Sequence, residues 1–267
     1  MAFPLAINNT KSRLQYLPLM LKAPYVVTGA SRGLGRAIAR NLAECGHPII
    51  AISRDAVSLG LAGAEFADIQ ADSITITCDL ADRADIAAAA EQIKAKTGWI
   101  AGIIHNAGII SPIKSIAEVD RANWARNIQI NLVGVQDLTN RLMPVLGGEK
   151  QTRITTISSG ASLRAISGWS AYCVAKAGLD MWAKCMAEEG AENNISAISI
   201  APGIVDTDMQ KTIRSSNEDD FPDYETFVEL HKDGQLVNPK LVAGQLGPLI
   251  TGHSMEQSGM RFDVREL

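Results

Sequence analysis

Thr28-Gly29-Ala30-Ser31-Arg32-Gly33-Leu34-Gly35 is the stretch whose reading decides the fold. It follows a β-branched run, Tyr25 to Thr28, and leads into a stretch rich in helix formers, Arg36 to Cys45. A glycine turn between a strand and a helix lets the backbone approach a pyrophosphate closely. The helix N-terminus then offers unpaired N–H groups and a partial positive charge. The spacing is Gly-x-x-x-Gly-x-Gly, not Gly-x-Gly-x-x-Gly, and read alone it also describes a glycine-rich turn that holds no ligand.

Outward from this loop, short apolar runs alternate with longer helical stretches, the pattern of βαβ units. Strands are expected at Tyr25 to Thr28, Pro48 to Ser53, Ser73 to Cys78, Gly102 to His105, Arg153 to Ser158, Ser196 to Ile200 and Met260 to Val264. Helices are expected at Arg36 to Cys45, Ala84 to Lys96, Trp124 to Leu142 and Ala171 to Glu189. Together they predict an α/β chain with a doubly wound, mostly parallel, seven-stranded sheet, the Rossmann arrangement. No repeat or linker divides it, so one domain is expected over 24–267, after an N-terminal extension over 1–23. The extension carries Lys11, Arg13 and Lys22 and no acid. Pro4 and Pro18 interrupt any long helix there, which argues for a flexible or surface-packed segment over a transit peptide. The polar segment 206–238, with an acidic cluster at Glu218, Asp219 and Asp220 and bulky Phe221, Tyr224 and Phe227, reads as a lid.

With 267 residues and 46% hydrophobic content the chain has material for one sizeable core. A net charge of -4 argues against a nucleic-acid partner, which selects a concentrated basic face. No apolar run approaches the roughly 20 residues that cross a bilayer, so no membrane partner is expected. Cys45, Cys78, Cys173 and Cys185 form no Cys-x-x-Cys pair and have no histidines at metal-ligand spacing. They read as reduced thiols in a cytoplasmic protein with no metal site.

The end of the second strand bears on which nicotinamide nucleotide such a loop would take. An acid there bonds the free ribose hydroxyl of NAD, whereas a basic residue suits the extra phosphate of NADP. Here the strand ends Ile52-Ser53-Arg54, and Arg54 with Arg32 can clamp a phosphate. Asp55 stands one residue too late for the usual acceptor, so NADP is favoured; each arginine alone also reads as a solvated surface charge.

Tyr172 and Lys176, four apart on an expected helix, share one face. A nearby ammonium stabilises phenolate and so suits tyrosine to acid catalysis near neutrality, although Tyr-x-x-x-Lys also occurs as an ordinary helix pair. The surrounding motifs add weight. Gly29, Gly33, Gly35, Asp79, Asn106-Ala107-Gly108, Asn131, Ser159, Tyr172, Lys176 and Pro202-Gly203 occur in the order and places of the short-chain dehydrogenase/reductase superfamily, which the chain resembles from about Pro24 to its end. The resemblance implies hydride transfer to a carbonyl, with Tyr172 as proton donor, Ser159 bonding the carbonyl oxygen, Lys176 on the nicotinamide ribose and Asn131 holding a water. It also implies a nucleotide site built from Gly29, Ser31, Arg32, Gly33, Leu34 and Gly35, with Arg54, with Asp79 on the adenine and Leu80 beside it, and with Asn106, Ala107 and Gly108 at the switch point. Pro202, Gly203, Ile204 and Thr207 complete it, the last two on the nicotinamide amide.

The segments Ser158 to Ser162, Gly168 to Tyr172 and Ala201 to Gln210 are similar to the sepiapterin reductase and benzil reductase branch, which uses NADPH on vicinal dicarbonyls. That implies a small-molecule ketone or diketone substrate. The alternatives are a 3-oxoacyl or hydroxysteroid-type dehydrogenase and a non-catalytic NADP-sensing protein. Ser258 to Asp263 resembles the sepiapterin reductase ending, where an acid at the Asp263 position anchors substrate; a surface aspartate closing the last strand reads equally well. Trp169, Met209, Phe221, Tyr224 and Phe227 are expected to line an apolar pocket, and His105 to be a packed strand-end residue and not a base. As in most relatives, the helices Trp124 to Leu142 and Ala171 to Glu189 are expected to pair with their copies in a homodimer or homotetramer.

Overall fold

The computed structural model describes residues 22–267, so the extension 1–23 lies outside the described residues except for Lys22 and Ala23. Seven strands form one sheet: β1 (Tyr25–Thr28), β2 (Ile49–Ser53), β3 (Ile74–Thr77), β4 (Gly102–His105), β5 (Thr152–Ile157), β6 (Ile195–Ala201) and β7 (Arg261–Asp263). Their spatial order is β3-β2-β1-β4-β5-β6-β7, and every neighbouring pair is parallel. The sheet is thus parallel throughout, where the sequence predicts a mostly parallel one. The strand compositions explain why. β1, β4 and β6 are buried along their whole length, as strands covered on both faces must be, whereas only Ile76 is buried in the edge strand β3.

Helices α1 (Gly33–Glu44), α2 (Ala56–Ile69) and α9 (Pro239–Gly252) cover one face, packing Ile38, Leu42, Phe66 and Leu246 against Val27, Ile49 and Ile198. On the other face α3 (Arg83–Lys94) and α5 (Gly134–Leu142) set Ile86, Ile93, Leu138 and Leu142 against Val26, Ile50, Ile103 and Ile154. Each such side chain, taken wholly out of water, stabilises the fold by about 1.5–3 kcal/mol. The expected helix Trp124 to Leu142 is interrupted. It begins as α4 (Arg121–Ile128), widens into a π turn (Gln129–Val133) and resumes as α5. Helix α2 has no counterpart among the sequence expectations, and β7 is shorter than the expected Met260 to Val264.

The chain winds outward in opposite directions from β1 and β4, which opens a crevice at the carboxyl ends of these two strands. Thr28 and Asn106 lock the crevice floor. The Thr28 hydroxyl accepts the Asn106 and Ala107 N–H groups at 3.1 and 3.0 Å, and Asn106 Nδ2 donates to the Thr28 carbonyl at 3.0 Å. Above the crevice, segment 206–238 folds as α7 (Asp208–Ile213) and α8 (Tyr224–Lys232). Its two ends are joined where Asp206 N–H donates to the Val237 carbonyl and Val237 N–H to that of Ile204, both at 2.9 Å.

Candidate active site

At the crevice the backbone itself makes a cradle. Gly29 has φ +68°, and a Cβ there would stand 2.9 Å from the Ala107 Cα; a Cβ on Gly35 would fall 2.3 Å from both Asn106 Nδ2 and the Gly29 carbonyl oxygen. Only glycine allows this closeness. No side chain caps α1 at Arg32, so its first N–H groups face the crevice unclaimed, which suits an anion. The cavity above has a volume of about 1120 Å³, and every residue expected to bind nucleotide lines it, from Gly29 through Arg54, Asp79 and Asn106 to Thr207. The donor set therefore fits a dinucleotide.

The residues expected to choose between the two nucleotides have local partners. Asp55 accepts the Ser58 N–H at 2.9 Å and so caps α2, which commits its carboxylate locally. Arg54 lies 4.0 Å from Asp79 and Arg32 3.1 Å from Asp208, with side chains 63% and 72% exposed, and both line the cavity. Asp79 also takes Arg126 at 3.0 Å and the Ala81 N–H at 2.9 Å. These bonds and Arg126 hold its carboxyl below the usual range against the opposing effect of burial.

Helix α6 (Ser170–Gly190) carries Tyr172 and Lys176 one turn apart, both buried, with the ammonium 5.6 Å from the phenol ring centre. Burial pushes the Tyr172 phenol up to about 12, with the Ser159 hydroxyl acting in the opposite direction. Burial pulls Lys176 down to about 8, opposed by the Asp180 carboxylate. Lys176 Nζ donates to the Ile157 carbonyl at 2.7 Å, which ties it to the end of β5 next to Ser159. Ser159 begins the turn after β5, where its hydroxyl accepts the Ala161 N–H at 3.2 Å. Ser159, Tyr172 and Lys176 all line the same cavity as the glycine cradle.

Asn131 stands behind this lining, across Gly108 from Lys176. Its Oδ1 accepts the Ile109 N–H at 2.9 Å, and its Nδ2 donates to the Ile109 carbonyl and to Asn127 Oδ1 at 2.8 and 2.7 Å. The side chain thus staples the loop after β4 to the π turn, and it is not among the cavity residues. Asp263 closes the last strand and is paired with its neighbour. Arg265 grips both its oxygens, at 2.8 and 2.6 Å, and it is Arg265 that reaches the cavity. Of the expected apolar lining, Trp169, Met209 and Phe227 face the cavity, while Phe221 is wholly buried behind Trp169, stacked at 4.9 Å, and Tyr224 packs against the same cluster. Sequence reasoning missed Ile110, Ile166, Ile213 and Arg164 as lining residues. They lie in loops or on a short helix, where no periodic pattern marks a facing side. His105 is a packed residue as expected, buried with Nε2 2.8 Å from the Thr139 hydroxyl.

A family model for short chain dehydrogenases matches residues 24–218. The chain belongs to that family. Among curated relatives of this short chain dehydrogenase, a benzil reductase ((S)-benzoin forming) from Bacillus subtilis is 32% identical over 257 residues, covering 91% of this chain and 98% of its own. A benzil reductase ((S)-benzoin forming) from Saccharomyces cerevisiae is 34% identical over 234 residues, covering 84% and 89%. The crystal structure of the KRED1-Pglu enzyme superposes with a TM-score of 0.81 at 32% identity, over 90% of this chain and all of the other. The chain is therefore an oxidoreductase of this family with its fold intact.

Proposed function

We propose that this chain is an NADPH-dependent reductase that turns a ketone or vicinal diketone into the alcohol. The observation that carries the reading is the meeting of Ser159, Tyr172 and Lys176 in one cavity with the glycine cradle on one side and an aromatic wall on the other. Bound NADPH supplies the hydride. As negative charge develops on the carbonyl oxygen, the Ser159 hydroxyl donates a hydrogen bond and the Tyr172 hydroxyl delivers its proton to that oxygen. A phenol near 12 keeps its proton until that charge appears. Lys176, cationic below about 8, then stabilises the phenolate left behind and holds the nicotinamide ribose. Asn131 acts by setting the path of the loop beside Lys176, since a Cβ on Gly108 would stand 2.7 Å from Asn131 Oδ1 and 3.6 Å from Lys176 Nζ.

The wall of Trp169, Phe227, Met209 and Ile166 favours a substrate with bulky apolar arms, in keeping with the benzil reductases among the relatives. Arg32 and Arg54, with no competing free acid at Ser53, favour the 2′-phosphate of NADPH. The test follows nucleotide oxidation against benzil, other diketones, sepiapterin, a ketosteroid and an acetoacetyl thioester. Diketones with NADPH should turn over best, and Arg54→Asp should shift preference toward NADH. Equal use of NADH by the unaltered protein sinks the cofactor assignment, and turnover confined to thioesters or steroids sinks the substrate assignment.

A further inference from the structure

Catalysis by Ser159 and Tyr172 needs two separate elements, the turn after β5 and helix α6, held in register to a fraction of an ångström. The last strand supplies a clip between them. Arg261 of β7 donates through Nη2 to the Ser159 backbone carbonyl and through Nε to Asp180 Oδ2, both at 3.1 Å. Asp180 stands on α6 one turn beyond Lys176 and two beyond Tyr172, on the same stripe, and is itself buried. Its other oxygen, Oδ1, is buried with no hydrogen-bond partner among the described residues. A buried carboxylate is costly unless it is paired, and Arg261 supplies that pairing.

We propose that Asp180 and Arg261 are positioning residues of the site, Arg261 fixing the Ser159 turn against α6 and the Asp180 carboxylate keeping Lys176 protonated. The inference rests on the reading that Lys176 works as a cation. Asp180 opposes the desolvation that pulls Lys176 down, and it is the charged group whose field acts on that ammonium. Among the described residues the other groups around Lys176 are uncharged: the Tyr172 phenol on its own helix, the Ile157 carbonyl from β5, and the Asn131 amide from the π turn across Gly108. Arg261 faces it from β7 only through Asp180.

Asp180→Asn, Arg261→Met, Arg261→Lys and the double variant Asp180→Asn/Arg261→Met separate the two roles. NADPH affinity, read by nucleotide fluorescence, and kcat with benzil are followed from about pH 6 to about pH 10, which brackets lysine titration. Asp180→Asn should move the alkaline limb of both profiles down by about one pH unit. Arg261→Met leaves the carboxylate unopposed and should move it up, with the double variant between. Arg261→Lys keeps the charge and so the limb, but a single ammonium cannot span both acceptors, and kcat should fall by about tenfold. Limbs of Asp180→Asn and Arg261→Met that coincide with the unaltered protein's, or that shift the same way in these two variants, overturn the proposal. If Arg261→Met does not fold, the double variant, with no unpaired buried charge, against Asp180→Asn gives the same comparison. Should the unaltered protein reduce no diketone, the functional reading fails while the NADPH-affinity limbs still decide the role of the pair.

Discussion

The Tyr172 hydroxyl is the atom on which the proposed chemistry turns, and the phenol ring and its hydroxyl contribute to the site differently. The ring packs edge-on against Trp169 at 5.8 Å and helps build the aromatic wall, so Tyr172→Phe keeps the shape of the cavity. Only the proton is lost. The loss falls on the transition state, and kcat should drop by about 10²- to 10⁴-fold with NADPH affinity nearly unchanged. A variant retaining more than about a tenth of the original kcat contradicts the assignment. Lys176→Ala should weaken NADPH affinity as well, since Lys176 is proposed to serve both nucleotide and phenol. These two residues were legible in the sequence because the spacing of four survives any change elsewhere in the fold. The partnership of Asp180 with Arg261 was not, because 81 positions separate them and only the return of β7 beside β6 brings them together.

Among the elements, the glycine loop is the one whose sequence and geometry agree most closely, and the agreement has a steric cause. Asn106 Nδ2 and the Gly29 carbonyl occupy the space of a Cβ on Gly35, so Gly35→Ala forces either the staple to Thr28 or the loop itself to move. Overpacking of this kind costs about 1–3 kcal/mol. A lower melting temperature and a fall of at least about tenfold in nucleotide affinity are expected, because the displaced backbone is the surface proposed to meet the phosphates. An unchanged affinity by titration calorimetry counts against the cradle. Helix α2 escaped sequence reading for a contrasting reason. Gly60 and Gly63 interrupt it, and Asp55, read as a question of nucleotide choice, is its cap. The π turn at Asn131 was hidden too, since it depends on a pull from Ile109 that no local propensity records.

At the scale of the whole molecule, no helix among the described residues is long and apolar enough to cross a membrane. Val133 on the π turn and Val174 and Met181 on α6 nevertheless stand 42%, 51% and 57% exposed, and we expect this face to pair with a second copy of the chain. Light scattering at micromolar concentration should show a dimer or tetramer, and a monomer refutes the pairing. The stability of the folded chain should depend on pH through two buried histidines. His105 Nε2–H donates to the Thr139 hydroxyl, whose own proton goes to the Val135 carbonyl, so Nδ1 is left bare in the interior. His253 Nδ1 donates to the Leu249 carbonyl, and its Nε2 takes the Ser196 hydroxyl proton. Both rings are therefore neutral, and burial pulls them down to about 3 and about 4. A folded value below the unfolded one means that the unfolded chain binds the extra protons. Stability is then fully present above about pH 6.5 and is lost as pH falls toward 4, by up to about 1.4 kcal/mol per pH unit for each ring. The carboxylates held low by their partners, such as Asp208 and Asp220, act in the same direction but only below their own unfolded range. Between about pH 6.5 and 4.5 the buried histidines should thus dominate the slope. Thermal melts across that window should show a steadily falling midpoint, and His105→Asn, uncharged at every pH, should start lower but fall less steeply. Parallel slopes for the variant and the unaltered protein would show that His105 is not the group being titrated.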